Sequence, residues 1–342
     1  MKSLEYLHGY ADFDPVIVQA IGETAAWQDQ KTFEELAALY RVDENLRTVQ
    51  PKHSKNPIEI LTFVPRDDFD ESAMRVYHLP MGCSLDENMI MNGMRLFGSD
   101  PSQRLMLVGN PSSPGHDMGK ITAKEAFGSY WNHDLKAFVE PLLEHLYDSN
   151  ITDTAHLGYS YGANKAVTAT VHSQQYDQYV DKGVYAEPAA VVSLGLIRLP
   201  ARFAWTNRKV KGYIKQAESA PYSQIRGKDN LGSLASYIVG LMRLSNIAIA
   251  SNLAHEHFEE ATIEALDSQP TEMTIAWGSK SELAPDVPMQ FLTGRLIASY
   301  GKRVQALRLK GMHHAGANDI NLHAAIMLQG LGVGKKPGTI TD

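Results

Sequence analysis

The stretch "HLGYSYGANKA", residues 156–166, decides the fold of this chain. Its centre is a Gly-x-Ser-x-Gly pentapeptide with Ser160 in the middle, placed after an apolar run and before a segment of helical composition. A tight turn between a strand and a helix would present the serine hydroxyl at the carboxyl end of a sheet, in front of the amide groups of a helix N-terminus. A serine that only caps a helix after a glycine-rich turn would give the same letters. The partners of Ser160 must therefore decide between the two interpretations.

Short apolar runs surround this stretch, and segments of helical spacing lie between them. Continuous apolar runs indicate strands that are buried on both faces. Alternation of strands and helices predicts the α/β class, a mostly parallel sheet flanked by helices. The seven predicted strands are "IEILTFV" (58–64), "MRVYHL" (74–79), "RLMLVGN" (104–110), "TAHLGYS" (154–160), "AAVVSLGLI" (189–197), "EMTIAWG" (272–278) and "VQALRL" (304–309).

The alternation divides the chain into three parts. Residues 1–57 have helical spacing, with Asp14 and Thr32 at positions suited to helix N-caps, and are predicted to form a helical extension. Residues 58–199 and 270–342 are predicted to form the α/β core. No strand pattern occurs between about residues 200 and 269, which predicts a helical cap inserted between two strands.

Composition limits the classes of partner. The chain has 342 residues, 44% hydrophobic and 21% charged, and its net charge is −7. Lysine and arginine are scattered, so no nucleic-acid partner is expected. No apolar run reaches the length of a membrane span, and the N-terminus has no signal-peptide pattern, so we expect a cytoplasmic protein. Cys83 is the only cysteine, which excludes an internal disulfide and a thiolate metal cluster.

A nucleophilic serine needs a histidine as base and an acid to orient it. "LRLKGMHHAGAND" (307–319) places His313 and His314 directly after the last predicted strand, where a base could reach Ser160. Residues 188–217 contain no Asp or Glu, so the predicted strand 189–197 cannot supply the acid. "SKSELAPD" (279–286), after the next strand, offers Glu282 and Asp286. Glu282 is nearer the strand end and is the preferred candidate.

With this order of serine, acid and histidine, the chain resembles the α/β-hydrolases over roughly residues 58–330. "YHLPMGCSLDENM" (77–89) resembles the oxyanion loop of that superfamily, and "VGNPSSPGHDMG" (108–119) its Pro-x-x-Gly-His loop. The resemblance implies oxyanion donors at the amides of Tyr161 and Met81, because Pro80 has no amide hydrogen. It also implies His314 as the base, three residues after Gly311.

The sequence gives weaker signs of other sites. His255, His257 and Glu259 occur in "AHEHFEE" (254–260), but His257 would lie off the helix face that the other two share, so no metal site is expected. The apolar residues 233–250 are compatible with packing onto the core, with a homodimer contact or with a hydrophobic substrate.

We therefore expect a serine hydrolase that cleaves carboxylic esters of a small or moderately hydrophobic substrate through an acyl-enzyme at Ser160, without metal or organic cofactor. An acyltransferase or an aminopeptidase on the same fold is one alternative. A catalytically inactive hydrolase fold used for binding is another, although an intact set of serine, acid and histidine argues against it.

Overall fold

The computed structural model describes residues 13–53, 57–80, 85–109, 135–189, 191–193, 257–314 and 319–333. An 8-stranded sheet lies at its centre, in the order β1-β2-β4-β3-β5-β6-β7-β8. The strands are β1 Leu46–Val49, β2 Ile58–Phe63, β3 Ala73–His78, β4 Leu105–Val108, β5 Asp153–Tyr159, β6 Tyr179–Ala186, β7 Glu272–Gly278 and β8 Val304–Leu309.

The sheet is parallel from β4 to β8. Only β2 breaks this direction, because it runs antiparallel to both β1 and β4. The pairs β3–β4, β3–β5, β5–β6, β6–β7 and β7–β8 are all parallel. The carboxyl ends of these strands therefore meet at one edge, which is where open α/β sheets bind their ligands. The predicted α/β class is confirmed.

Helices cover both faces of the sheet. They are α1 Pro15–Gln28, α2 Phe33–Leu39, α3 Val42–Asn45, α4 Glu87–Ser99, α5 Lys136–Asp148, α6 Tyr161–His172, α7 Phe258–Ser268, α8 Asp286–Tyr300 and α9 Ile320–Leu331. Alternate residues of β6 face opposite layers, since Val184 and Ala186 join one apolar cluster with α9 while Tyr185 joins another with α6 and α7. In the described part of the chain, no helix combines the length and apolar character needed to span a membrane.

The N-terminal segment is integrated into the core. Asp14 caps α1 and Thr32 caps α2 through a capping box with Glu35, as the sequence predicted. Ile17 and Ile21 of α1 are buried in the same apolar cluster as α4 and α9. The description of residues 1–57 as helical is incomplete, however, because Leu46–Val49 form β1 and pair with β2. A four-residue edge strand is too short to show alternation in the sequence.

One strand was misplaced in the sequence analysis. The strand that follows α6 is β6, Tyr179–Ala186, and not residues 189–197. Of that run, residues 191–193 form no strand, and the chain turns instead at Glu187, whose φ is 50°. Residues 200–256 of the predicted cap lie outside the described residues. Phe258–Ser268, at the end of that range, form α7, whose buried Phe258 packs edge-on against Tyr185 of the core at 5.9 Å.

Candidate active site

Ser160 lies on a sharp turn between β5 and α6. Its φ of 55° and ψ of −125° are strained for a residue with a side chain, as expected of a nucleophile elbow. A Cβ on Gly158 would lie 2.2 Å from the carbonyl oxygen of Gly162, and one on Gly162 would lie 2.1 Å from the carbonyl oxygen of His78. Both glycines are therefore needed for the turn to pass between neighbouring strands. The Ser160 amide donates to the carbonyl of Ala186 at 2.9 Å, which ties the turn to β6.

The structure brings His314 to Ser160, across 154 residues of sequence. The imidazole Nε2 lies 3.0 Å from the serine Oγ. Tyr159, the residue before the serine, holds this histidine in two ways: its hydroxyl donates to the His314 carbonyl, and its ring stacks on the imidazole with centroids 5.2 Å apart. His313, the adjacent residue, does not share this contact. As the sequence predicted, His313 and His314 lie in the loop after β8.

Glu187 completes the chain of hydrogen bonds. It is the first residue after β6, is fully buried, and places Oε2 at 3.0 Å from His314 Nδ1. The same carboxyl group accepts hydrogen bonds from the Gly278 amide and the Ser281 hydroxyl. Its own amide donates to the carbonyl of Ala276 on β7 at 2.7 Å. The Gly278 amide can only donate a hydrogen bond, so this carboxyl group acts as an acceptor, and it lies where a hydrogen on His314 Nδ1 would reach it.

The expected contact between Glu282 and His314 is not formed. Glu282 Oε1 lies 3.1 Å from Nδ1 of His313 instead, so the two adjacent histidines each have their own carboxylate. Asp286, the alternative acid, is paired with Arg308 at 2.6 Å and accepts from the Trp277 indole. The hydrogen bond from Arg308 holds the pKa of Asp286 well below its ordinary value. Neither residue of the predicted acid loop reaches the base.

Glu187 lies one position before the run 188–217, which contains no Asp or Glu. The strand that leads to it is β6, which ends at Ala186, whereas the sequence predicted a strand end about ten residues later. The signal was an Asp or Glu directly after a strand, here "YVDKGVYAE" (179–187), whose second half is buried. Its first half carries exposed or half-buried polar residues, which weakens the apolar pattern.

Of the two candidate oxyanion donors, the amides of Tyr161 and Met81, only that of Tyr161 lies within the described residues. Tyr161 is the first residue of α6 and directly follows Ser160, so its amide has no acceptor within the helix. Its ring is fully buried, edge-on to Phe138 at 6.4 Å. Met81 lies outside the described residues, as do Cys83 and His116.

Two further histidines at this edge of the sheet form a buried pair. His78 Nε2, at the end of β3, lies 3.0 Å from His156 Nδ1 on β5. Burial lowers the pKa of both side chains, that of His156 to about 3, so both rings are neutral at physiological pH. Among the described residues, no hydrogen bond links this pair to Ser160.

The described residues contain no group of three His, Cys, Asp or Glu side chains that could hold a metal ion. Of the motif "AHEHFEE", His255 lies outside the described residues. His257 precedes α7 and is buried, whereas Glu259 forms an ion pair with Arg295 of α8.

Comparison with known proteins supports the fold at low sequence identity. No protein-family model and no curated protein matches the chain. Among solved structures, it is similar to a bromoperoxidase from Bacillus anthracis, with a TM-score of 0.53, 13% identity, and coverage of 84% of this chain and 100% of the other.

Two further solved structures match with a TM-score of 0.51. One is MGS-M2, an α/β hydrolase enzyme from a Medee basin deep-sea metagenome, at 16% identity over 86% of this chain and 100% of the other. The other is a hydrolase from Pseudomonas aeruginosa PA01, at 13% identity over 84% of this chain and 98% of the other. The chain has the α/β-hydrolase fold, as its motifs indicated.

Proposed function

We propose that this protein is a serine hydrolase that cleaves carboxylic esters, with Ser160 as nucleophile, His314 as base and Glu187 as acid. The observation that carries the proposal is one continuous chain of hydrogen bonds. Ser160 Oγ lies 3.0 Å from His314 Nε2, and His314 Nδ1 lies 3.0 Å from Glu187 Oε2. These two contacts support the proposal, because a nucleophilic serine needs a base within hydrogen-bond reach and that base needs a carboxylate to orient it.

In the first half-reaction, Ser160 Oγ attacks the ester carbonyl carbon while its proton passes to His314 Nε2. A tetrahedral intermediate forms, with negative charge on the former carbonyl oxygen. Its carbon–oxygen bond to the alcohol then breaks, and His314 gives the proton to the leaving oxygen. In the second half-reaction, His314 takes a proton from water, the resulting hydroxide equivalent attacks the acyl-enzyme, and the carboxylic acid leaves as Ser160 regains its proton.

In this mechanism, Glu187 keeps the His314 imidazole in the tautomer that the two half-reactions require. With the proton on Nδ1 directed to the carboxylate, Nε2 is free to accept the serine proton. The imidazolium that forms next lies against a buried negative charge. The amides of Tyr161 and Met81 are the donors that we propose for the oxyanion.

The same three side chains could also serve a reaction on acyl compounds other than esters, so the substrate has to be determined by experiment. An acyltransferase would replace water by another acceptor, and an aminopeptidase would cleave an amide. Turnover of p-nitrophenyl esters of graded chain length, measured beside aminoacyl amides, separates these reactions. We expect hydrolysis of the esters, with the best rates for small or moderately hydrophobic acyl groups, and slow or undetectable cleavage of the amides.

The nucleophile is tested with a fluorophosphonate probe, which labels activated serines covalently. We expect labelling of the wild type and none of Ser160→Ala, with ester turnover reduced by about 10⁶-fold. Ser173→Ala is a matched control, because it removes another buried serine hydroxyl, bonded to the Thr170 carbonyl behind α6. Labelling of a folded Ser160→Ala protein, or loss of labelling in Ser173→Ala, would contradict the proposal.

A further inference from the structure

Tyr159 occupies the space behind the imidazole of His314. It is the last residue of β5 and is 7% exposed. Its ring lies 26° from the imidazole plane with centroids 5.2 Å apart, and its hydroxyl donates to the carbonyl oxygen of the same histidine. One side chain therefore contacts both the ring and the backbone of His314.

The tyrosine ring is itself held in place from behind. His323 of α9 meets it edge-on, with centroids 5.9 Å apart and an interplanar angle of 88°. Tyr77 of β3 in turn meets His323 at 5.2 Å and 84°. All three rings are buried, so Tyr159 cannot turn away from His314 without displacing α9 or β3.

We propose that Tyr159 is a positioning residue that fixes His314 between Ser160 and Glu187 and stabilises the imidazolium formed during acyl transfer. This inference rests on the proposed function. The hydroxyl contact fixes the backbone from which the imidazole projects. The stacked ring presents its electron-rich face to the imidazole, and a cation within about 6 Å of an aromatic centroid is attracted to that face. The attraction is stronger for the imidazolium than for the neutral imidazole, so it favours the state in which the base has taken the serine proton.

The effect of Tyr159 on the protonation of His314 must be separated from the effects of the charged and titratable groups nearby. Glu187 faces the imidazole directly, and the Glu282–His313 pair follows in the neighbouring loop. On the far side of Tyr159, burial lowers the pKa of His323 to about 4, so this ring carries no charge at neutral pH. A change at Tyr159 therefore alters the environment of His314 without removing a formal charge.

The experiment measures the rate of fluorophosphonate labelling as a function of pH, which reports the ionisation of the base without a known substrate. The variants are Tyr159→Phe, Tyr159→Leu and the matched control Tyr77→Leu, which removes a buried aromatic ring one layer further from His314. We expect Tyr159→Leu to label about three- to thirty-fold more slowly than the wild type. The midpoint of its labelling rate as a function of pH should lie lower by about half a pH unit or more.

The direction of that shift separates the proposal from a packing effect. Loss of the ring favours neutral imidazole and lowers the midpoint, whereas water entering the space left behind would solvate the imidazolium and raise it. Tyr159→Phe keeps the ring and should keep the wild-type midpoint, with a smaller loss of rate. Tyr77→Leu should lower the stability and shift the midpoint less than Tyr159→Leu does, because Tyr77 reaches Tyr159 only through His323.

An unchanged or raised midpoint in Tyr159→Leu would overturn the inference, and so would an equal downward shift in Tyr77→Leu. If Tyr159→Leu does not fold, a downward shift of half a unit in Tyr159→Phe overturns it, because the ring remains in that variant. A wild type that is neither labelled nor active on any ester fails differently, since it removes the proposed function and this inference with it.

Discussion

Glu187→Gln should remove most of the activity, and Glu282→Gln should not. Each substitution replaces a buried carboxylate that contacts one of two adjacent histidines, at 3.0 Å from His314 and 3.1 Å from His313. The two variants thus differ mainly in which histidine loses its partner. This pair of substitutions tests the assignment of the acid.

The magnitude follows from the donors around Glu187. Three of them, the Gly278 amide, the Ser281 hydroxyl and His314 Nδ1, converge on the two carboxyl oxygens. Glutamine offers one oxygen, so its amide nitrogen must face at least one donor. If it faces His314, the imidazole accepts at Nδ1 and carries its proton on Nε2, where it cannot act as base. The equivalent change in a related triad costs about 10⁴-fold in kcat.

The same mismatch affects stability. A buried donor left without an acceptor costs about 1–3 kcal/mol, so Glu187→Gln should also lower the free energy of unfolding by that amount. The assays are kcat on a p-nitrophenyl ester and urea unfolding of each variant. We expect Glu282→Gln to retain kcat within a few-fold of the wild type. If Glu187→Gln had a kcat within ten-fold of the wild type and Glu282→Gln were inactive, the reasoning would be refuted and Glu282 would be the acid.

Three further predictions address the base, the elbow and a buried carboxyl group. His314→Ala should be as inactive on esters as the serine variant, whereas His313→Ala should keep substantial turnover with a changed KM; the reverse result would reassign the base. Gly162→Ala should yield little folded protein, because its Cβ would lie 2.1 Å from a carbonyl oxygen, whereas Gly294→Ala in α8 meets no atom within 4 Å and should raise stability by about 0.5–1 kcal/mol in urea unfolding. Burial raises the pKa of Asp319 to about 6, so its contribution to stability is present below its unfolded pKa and is lost as the pH rises through 6. Asp319→Asn should therefore gain stability on the wild type by up to about 3 kcal/mol between pH 4 and pH 7, and an unchanged difference would contradict the shift.

The parts of the fold and the site that the sequence predicted are those with local causes. The turn at Ser160 could be predicted from Gly158 and Gly162, because a side chain at either glycine would collide with backbone. His314 follows a strand whose apolar pattern is clear. Each of these depends on a few consecutive residues, which is the range over which sequence patterns are informative.

Glu187 could not be found in the same way, because its position depends on where a strand ends. Asp181 and Lys182 break the apolar pattern of β6. Residues 189–197 are more continuously apolar and therefore gave the stronger strand pattern. The contacts that select Glu187 over Glu282 come from β7 and its loop, nearly a hundred residues away. The sequence did not indicate Tyr159 as a partner of His314 for the same reason, since their stacking joins residues 155 positions apart.

Ser160 and Glu187, the proposed nucleophile and acid, directly follow the neighbouring strands β5 and β6 and are joined through the sheet. Ser160 donates its amide to Ala186, the residue before Glu187, and Glu187 donates its amide to β7. The distance between the two ends of the reactive centre is thus a property of the central sheet. Loop sequences around the site can diverge, during evolution or in the laboratory, without changing that distance. Substitutions in the loops around the site should therefore change which substrates are accepted more than they change the spacing of Ser160 and Glu187.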